Sequence, residues 1–195
     1  MNNFFQQTKW YIKENDGFTA LDSSYEILDF ENRRTILGKA RQESCVGHKI
    51  LKMFFDNIFL PFKICVEDSS GCSKLLIKRE GSAFIWPIEI FDGEGKKICA
   101  FKQSFLCLKK RIEVLDSSAN LIGEIISEDW AAKKLAYFDK KEGKVGTIKH
   151  FLKGVSREMF TASDDWVVEF TGQKPEMVPV LLAGAIVVDM LYHEA

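Results

Sequence analysis

Residues 180–192 read VLLAGAIVVDMLY, a stretch that is apolar on every side of a helix except at Asp189. A helix that is apolar all round must be enclosed by protein or by lipid. The stretch has 13 residues, or 16 when it is counted from Met177, whereas a membrane-spanning helix needs about 20 apolar residues. We therefore predict that residues 177–193 form a helix that fills the interior of the protein. A membrane span is the alternative.

The acid in this helix, Asp189, has a different environment under each interpretation. Inside a protein an unpaired charge is costly, so we expect backbone amides or a basic partner to bind Asp189 near the mouth of the surrounding sheet. In a membrane span, Asp189 would lie near one end, where its cost is smaller than at the bilayer centre.

A short pattern recurs before the helix: an apolar residue, any residue, two apolar residues and an aspartate. It ends at Asp29, Asp92, Asp116 and Asp139, and a looser copy ends at Asp68. Turn-forming residues follow each aspartate, and a second alternating apolar run follows the turn. Such units are typical of β-hairpins in which the aspartate caps the turn. Regular hairpins over this length predict an antiparallel sheet that is closed or nearly closed.

The composition limits the class of protein. The 195 residues carry 27 basic and 28 acidic side chains, and this balance argues against a dedicated nucleic-acid binder. The five cysteines are an odd number and include no CxxC pair, which favours reduced thiols in a cytosolic protein. No signal peptide is recognisable at the start. We expect a single domain over residues 1–195, with residues 1–8 as a loose extension.

Signatures of common enzymes are missing from the sequence. It contains no GxSxG, P-loop or HExxH motif, and its Gly93-Glu94-Gly95 run falls at a predicted hairpin turn. We therefore predict that the protein is not an enzyme. A deep polar pocket with perturbed carboxylates would favour a small-molecule enzyme instead.

Residues 154–170, GVSREMFTASDDWVVEF, place a hydroxyl and several acids before the last strand. Here the chain resembles the phospholipid scramblase family, in which a Gly-x-x-Arg-Glu-x-Phe-Thr run precedes an acidic loop, a short strand and an apolar helix holding an Asp. The matching residues are Gly154, Arg157, Glu158, Phe160, Thr161, Asp164, Phe170 and Asp189. The resemblance implies an all-β fold of about twelve antiparallel strands, closed into a barrel around the hydrophobic C-terminal helix. Tubby-like and LURP-one-related proteins share that fold.

The resemblance also suggests a calcium site. The family's calcium loop has two acids around a small residue, and here Ala162 occupies the first acid position. Asp164, Asp165 and Glu169 remain as candidate ligands, and calcium is the only cofactor that we expect. Because calcium takes six to eight oxygen ligands, a solvated acidic turn is the stronger interpretation of these three residues.

Two segments are candidates for membrane contact. Phe84, Ile85 and Trp86 could form an interfacial wedge, since Trp favours the headgroup layer. Lys109, Lys110 and Arg111 could meet anionic lipid. The plainer alternatives are strands packed on the core and charges exposed to water. The family's palmitoylated cysteine cluster has no counterpart, because the matching residues 79–87 contain no cysteine.

The resemblance implies that the protein binds lipid non-covalently or moves phospholipids between leaflets in a calcium-linked way, at a phospholipid membrane surface. The alternative is a soluble tubby-like module that binds a phosphoinositide headgroup or a protein partner. We expect a cytoplasmic protein that attaches peripherally to a membrane.

Overall fold

The computed structural model describes residues 4–15, 23–43, 61–80, 87–104, 109–151 and 165–192. These residues form twelve β-strands and one α-helix. The strands are β1 Lys9–Glu14, β2 Ser24–Asp29, β3 Ile36–Gln42, β4 Phe62–Asp68, β5 Ser73–Arg79, β6 Ile88–Asp92, β7 Lys97–Ser104, β8 Arg111–Leu115, β9 Leu121–Ser127, β10 Lys134–Asp139, β11 Gly143–Phe151 and β12 Asp165–Phe170. A 3₁₀ turn, Pro175–Met177, leads into the helix α1, Val178–Tyr192.

The strands form a closed antiparallel barrel in chain order. Each strand pairs with the next along the chain, and β1 also pairs with β12, where Trp10 lies opposite Val168. Closure removes the exposed edges that an open sheet would present. The predicted closed antiparallel sheet is therefore confirmed, with the twelve strands implied by the family resemblance.

The helix α1 fills the barrel, as its uniformly apolar sequence predicts. Its residues are buried from Val178 to Leu191, apart from Pro179. Glycines allow the close packing: a Cβ on Gly184 would lie 2.6 Å from an isoleucine side chain of β9, and a Cβ on Gly146 would lie 2.5 Å from a leucine of the helix. The inward side chains of the strands and the helix form one hydrophobic core.

The apolar segment is longer than the sequence count suggested. Pro175–Tyr192 has 18 residues with a mean hydropathy of 1.6, which is enough to cross a membrane by length and composition alone. The prediction that it is too short for a span was therefore wrong, because even the longer count, from Met177, left out Pro175 and Glu176 of the 3₁₀ turn. In the structure, the barrel wall encloses α1.

The barrel has two chemically different ends. The turns that follow the even-numbered strands β2 to β10 lie together at one end, which we call the hairpin end. The helix runs from there to the other end, which we call the helix-terminal end. Asp189 marks that end, because it contacts Tyr25 at the start of β2 and Trp166 at the start of β12.

All five aspartates of the repeated pattern lie at the hairpin end and cap their own turns. Asp92 Oδ1 accepts hydrogen bonds from the backbone N–H groups of Glu94 and Lys96, at 3.0 and 2.8 Å. Equivalent bonds are accepted by Asp29, Asp68, Asp116 and Asp139. Turn capping, the role predicted from the pattern, is confirmed.

The start of the chain differs from the prediction. Phe4 is only 1% exposed and belongs to the core, and its carbonyl accepts a 3.1 Å hydrogen bond from Trp10 Nε1. A Cβ on Gly38 would lie 2.6 Å from the Phe4 ring, so β3 leaves space for this side chain. Phe4 is therefore packed against the barrel and is not part of a loose extension.

Candidate functional site

The carboxylate of Asp189 lies inside the barrel and is 1% exposed. Its Oδ2 accepts a 2.8 Å hydrogen bond from the Tyr25 hydroxyl, and its Oδ1 accepts a 2.8 Å bond from Trp166 Nε1. The ring of Trp166 also meets His150 edge-on, at 5.3 Å between centroids. Sequence reasoning expected backbone amides or a basic partner and did not name these two donors. Their positions in β2 and β12 fix the depth and rotation of α1 within the barrel.

Other polar side chains surround the last turn of the helix. Arg79 is 5% exposed, and its guanidinium lies 4.8 Å from the centre of the Phe62 ring. Burial lowers the pKa of Arg79 to about 10. Burial also raises the pKa of Tyr192 to about 12, against the opposite effect of a hydrogen bond from Gln103. The helix-terminal end of the barrel therefore combines apolar side chains with several buried polar groups.

The calcium candidates do not form a common site among the described residues. Asp165 is fully buried on the outer side of the barrel, where its Oδ2 accepts a 2.5 Å hydrogen bond from the Tyr11 hydroxyl. Burial, followed by this contact with Asp165, raises the pKa of Tyr11. Glu169 lies four residues further along the same strand, about 13 Å away at about 3.3 Å per residue. It contacts Lys9 and Lys149, at 3.7 and 3.8 Å.

Asp164, the remaining candidate ligand, lies outside the described residues. Within the described part of the chain, no three His, Cys, Asp or Glu side chains gather as a metal site would require. The buried, hydrogen-bonded carboxylate of Asp165 fits a structural role better than coordination of a hydrated cation. A calcium site that includes Asp164 therefore stays a prediction.

A small aromatic cluster explains why Asp165 and Tyr11 are buried on the outside of the barrel. The ring of Tyr11 meets the ring of Phe151 edge-on at 5.5 Å. The Arg33 guanidinium covers both, at 4.6 and 4.5 Å from the ring centres. Phe30 packs against the same cluster. Cation–π contacts of this kind stabilise the outer face by roughly 0.5–1 kcal/mol each.

The basic run Lys109, Lys110 and Arg111 lies at the helix-terminal end, where β8 begins. Arg111 forms an ion pair with Glu124 on β9. The Lys110 ammonium lies 4.5 Å from the centre of the Tyr192 ring, and Lys109 is exposed. The three cations of this run therefore have different environments. The other membrane candidate, Phe84, Ile85 and Trp86, lies outside the described residues.

Sequence reasoning missed Trp130, which lies in the connection between β9 and β10 at the helix-terminal end. Its side chain is 78% exposed. The backbone N–H of Ser127, just before this connection, donates a 3.0 Å bond to the carbonyl of Lys110, so the two segments are neighbours. Lys133 follows in the same connection and is exposed. We call Trp130, Lys109, Lys110 and Lys133 the Trp130 patch.

A cavity of about 300 Å³ lies on the outer face of β6, β7 and β8. Its lining includes Glu89 and Lys97, which are hydrogen-bonded at 2.8 Å. This bond from Lys97 lowers the pKa of Glu89. A lowered pKa is the reverse of the shift that a carboxylic acid needs to act as a general acid or base near neutral pH. The Glu89 carboxylate in this cavity therefore does not support the alternative that the protein is an enzyme acting on a small molecule.

Comparisons with known proteins agree with the architecture. A solved X-ray structure of an Arabidopsis thaliana protein matches with a TM-score of 0.54 and 13% sequence identity, over 93% of this chain and 91% of that one. At this identity the likeness shows the fold alone. No curated protein matches the sequence significantly. The family model described as Scramblase matches residues 24–195, and the chain therefore belongs to the scramblase family.

Proposed function

We propose that this barrel binds the surface of anionic phospholipid membranes without covalent chemistry, as a cytoplasmic protein that attaches peripherally. Membership of the scramblase family supports a lipid-directed role. The observation that carries the proposal is the grouping of Lys109, Lys110 and Lys133 at the helix-terminal end. Since the barrel encloses its apolar helix, the outer surface is the part that meets lipid.

The lysines of this group are available for an anionic partner. Lys109 and Lys133 are exposed, and neither forms an ion pair with a described carboxylate. A lysine near an anionic membrane surface contributes about 1 kcal/mol to binding, so three of them contribute about 3 kcal/mol together. That attraction weakens as salt screens it over a Debye length of about 8 Å at physiological ionic strength.

Vesicle flotation tests the proposal. The protein should float with phosphatidylcholine vesicles that contain phosphatidylserine, float less with phosphatidylcholine alone, and detach at high salt. The double substitution Lys109→Glu with Lys133→Glu should weaken binding by more than roughly 30-fold, because two contributions of about 1 kcal/mol are removed and two repulsive charges are added.

A matched control is available at the other end of the barrel. Lys140 and Lys141 are exposed and lie in the turn between β10 and β11. Reversing both changes the net charge by the same amount at the hairpin end, and binding should stay near the wild-type value. A protein that never floats with anionic vesicles would refute membrane binding and favour the soluble tubby-like module.

Transbilayer movement is the more specific activity, and the same vesicles measure it. Labelled phospholipid in the inner leaflet becomes accessible to a membrane-impermeant quencher when a protein accelerates its exchange. The comparison is made with calcium and with a chelator. Acceleration under either condition extends the proposed function from binding to movement, and its absence under both limits the function to surface binding.

A further inference from the structure

We infer that Trp130 is a membrane anchor, and that the barrel docks with its helix-terminal end facing an anionic phospholipid bilayer. This inference rests on the proposed membrane binding and specifies its surface and orientation. It starts from the exposure of one side chain. Trp130 is 78% exposed, whereas Trp10 and Trp166 are fully buried in the core.

The exposure of Trp130 is built into the fold. The connection that carries it is held at both ends: Asp129 Oδ1 accepts a 2.9 Å hydrogen bond from the backbone N–H of Lys133, and the N–H of Glu128 donates a 2.7 Å bond to the carbonyl of Lys134. Ala132 is fully buried and adopts a φ of 53°. The backbone on both sides of the indole is therefore fixed, and the side chain is presented to the outside.

The two acids that precede Trp130 are already engaged, because Glu128 is ion-paired with Lys134 and Lys144 and Asp129 caps its own connection. The remaining charged neighbours suit an anionic partner. Lys133 lies three residues away, and Lys109 and Lys110 lie in the adjacent segment. An indole with several ammonium groups is typical of a membrane interface, where the ring enters the headgroup layer and the cations meet anionic phosphates. Attraction by lysine alone would be weak and sensitive to salt, and the indole adds apolar contact area that salt does not screen.

The turns at the opposite end, residues 29–35, 68–72, 92–96, 116–120 and 139–142, hold eight acidic and five basic residues and are therefore less suited to an anionic surface. The five aspartates that cap the turns all lie at the hairpin end. Docking through the Trp130 patch directs these carboxylates away from the anionic lipid. It also brings the last turn of α1, with Tyr192 beside Lys110, close to the bilayer surface.

The test measures vesicle binding and the depth of the indole together. We expect Trp130→Ala to lower the partition onto phosphatidylserine-containing vesicles at least roughly tenfold, because it removes most of the inserted apolar area. Trp130→Phe should lower it less. Phe138→Ala is the matched control, since Phe138 is a 37% exposed aromatic residue near the hairpin end of β10, and it should bind like wild type.

Vesicles with bromine on the upper acyl chain report contact directly, because bromine quenches a nearby indole. The fluorescence difference between wild type and Trp130→Phe isolates the signal of Trp130, and this signal should be quenched on binding. If wild type does not float with anionic vesicles, the proposed function fails. If wild type floats but Trp130→Ala floats equally well, or the Trp130 signal is unquenched, the anchor is refuted while membrane binding stands. If wild type self-associates in sedimentation, Trp130→Ala does not, and the Trp130 signal is unquenched, the patch binds a second copy of this chain and the anchor is refuted.

Discussion

Removal of the Tyr25 hydroxyl tests the contact that holds the helix within the barrel. Tyr25 and Asp189 are each 1% exposed, and the hydroxyl lies 2.8 Å from Asp189 Oδ2. Tyr25→Phe keeps the ring and removes one donor from a buried carboxylate. A hydrogen bond to a charged group contributes about 1.5–3 kcal/mol. For a chain of this size, 1 kcal/mol lowers Tm by about 2–4 °C, so we expect a fall of about 3–12 °C.

Urea unfolding followed by circular dichroism measures this effect. The midpoint should fall while the m-value stays unchanged, because the surface exposed on unfolding is nearly the same. Tyr137→Phe is the matched control: Tyr137 is fully buried, but its hydroxyl donates to the Met177 sulfur at 3.5 Å, and a thioether is a weak acceptor. That variant should lose less than about 1 kcal/mol. Equal losses in the two variants, or none in Tyr25→Phe, would refute the role assigned to the Asp189 contact.

Three further substitutions test the fold. Phe4→Ala should cost about 3–5 kcal/mol in urea unfolding, because it empties a core position; a neutral result would restore the loose extension. Gly146→Ala should cost about 1–3 kcal/mol, because its Cβ would lie 2.9 Å from a backbone oxygen. Gly184→Ala should cost less than Gly146→Ala, because its Cβ meets the Cδ1 atoms of two isoleucines, at 2.6 and 3.6 Å, rather than a backbone oxygen, and the helix gains from alanine; equal costs in the two variants would contradict this packing. Hydrogen bonds from lysines, that of Lys134 first, lower the pKa of Glu128 from 4.5 to about 2. Ionised Glu128 therefore contributes fully to stability above pH 4.5, and this contribution is lost as the pH falls towards 2. Glu128→Gln should make the free energy of unfolding, measured in urea, less dependent on pH between these two values.

The local features of this protein could be predicted from its sequence. Each turn aspartate binds backbone groups only a few residues away, as Asp116 does with the N–H groups of Ser118 and Asn120. Such contacts depend on neighbours in the chain, so the repeated pattern was sufficient to predict the hairpins. The enclosed helix could be predicted for a similar reason, since its composition leaves no polar face for water.

The environments of the acids could not be predicted in the same way. Asp165 follows directly after Asp164 in the sequence and was therefore a calcium candidate, yet it is bound by Tyr11, 154 residues away in the chain. Asp189 is bound by Tyr25, which is 164 residues away. Neither partner has a local signal in the sequence, because any of the polar residues near a strand end could have filled the same place.

The hairpin repeat, the apolar helix and the family pattern can be read from the amino-acid sequence, because they depend on periodicity and on contacts between near neighbours. The folded barrel was needed to show which of its ends receives the end of the helix, which acids are buried, and that Phe4 is packed while Trp130 is exposed. These features depend on burial, and burial depends on closure of the barrel. Closure brings β1 against β12 and places in contact residues that are more than 150 positions apart in the chain.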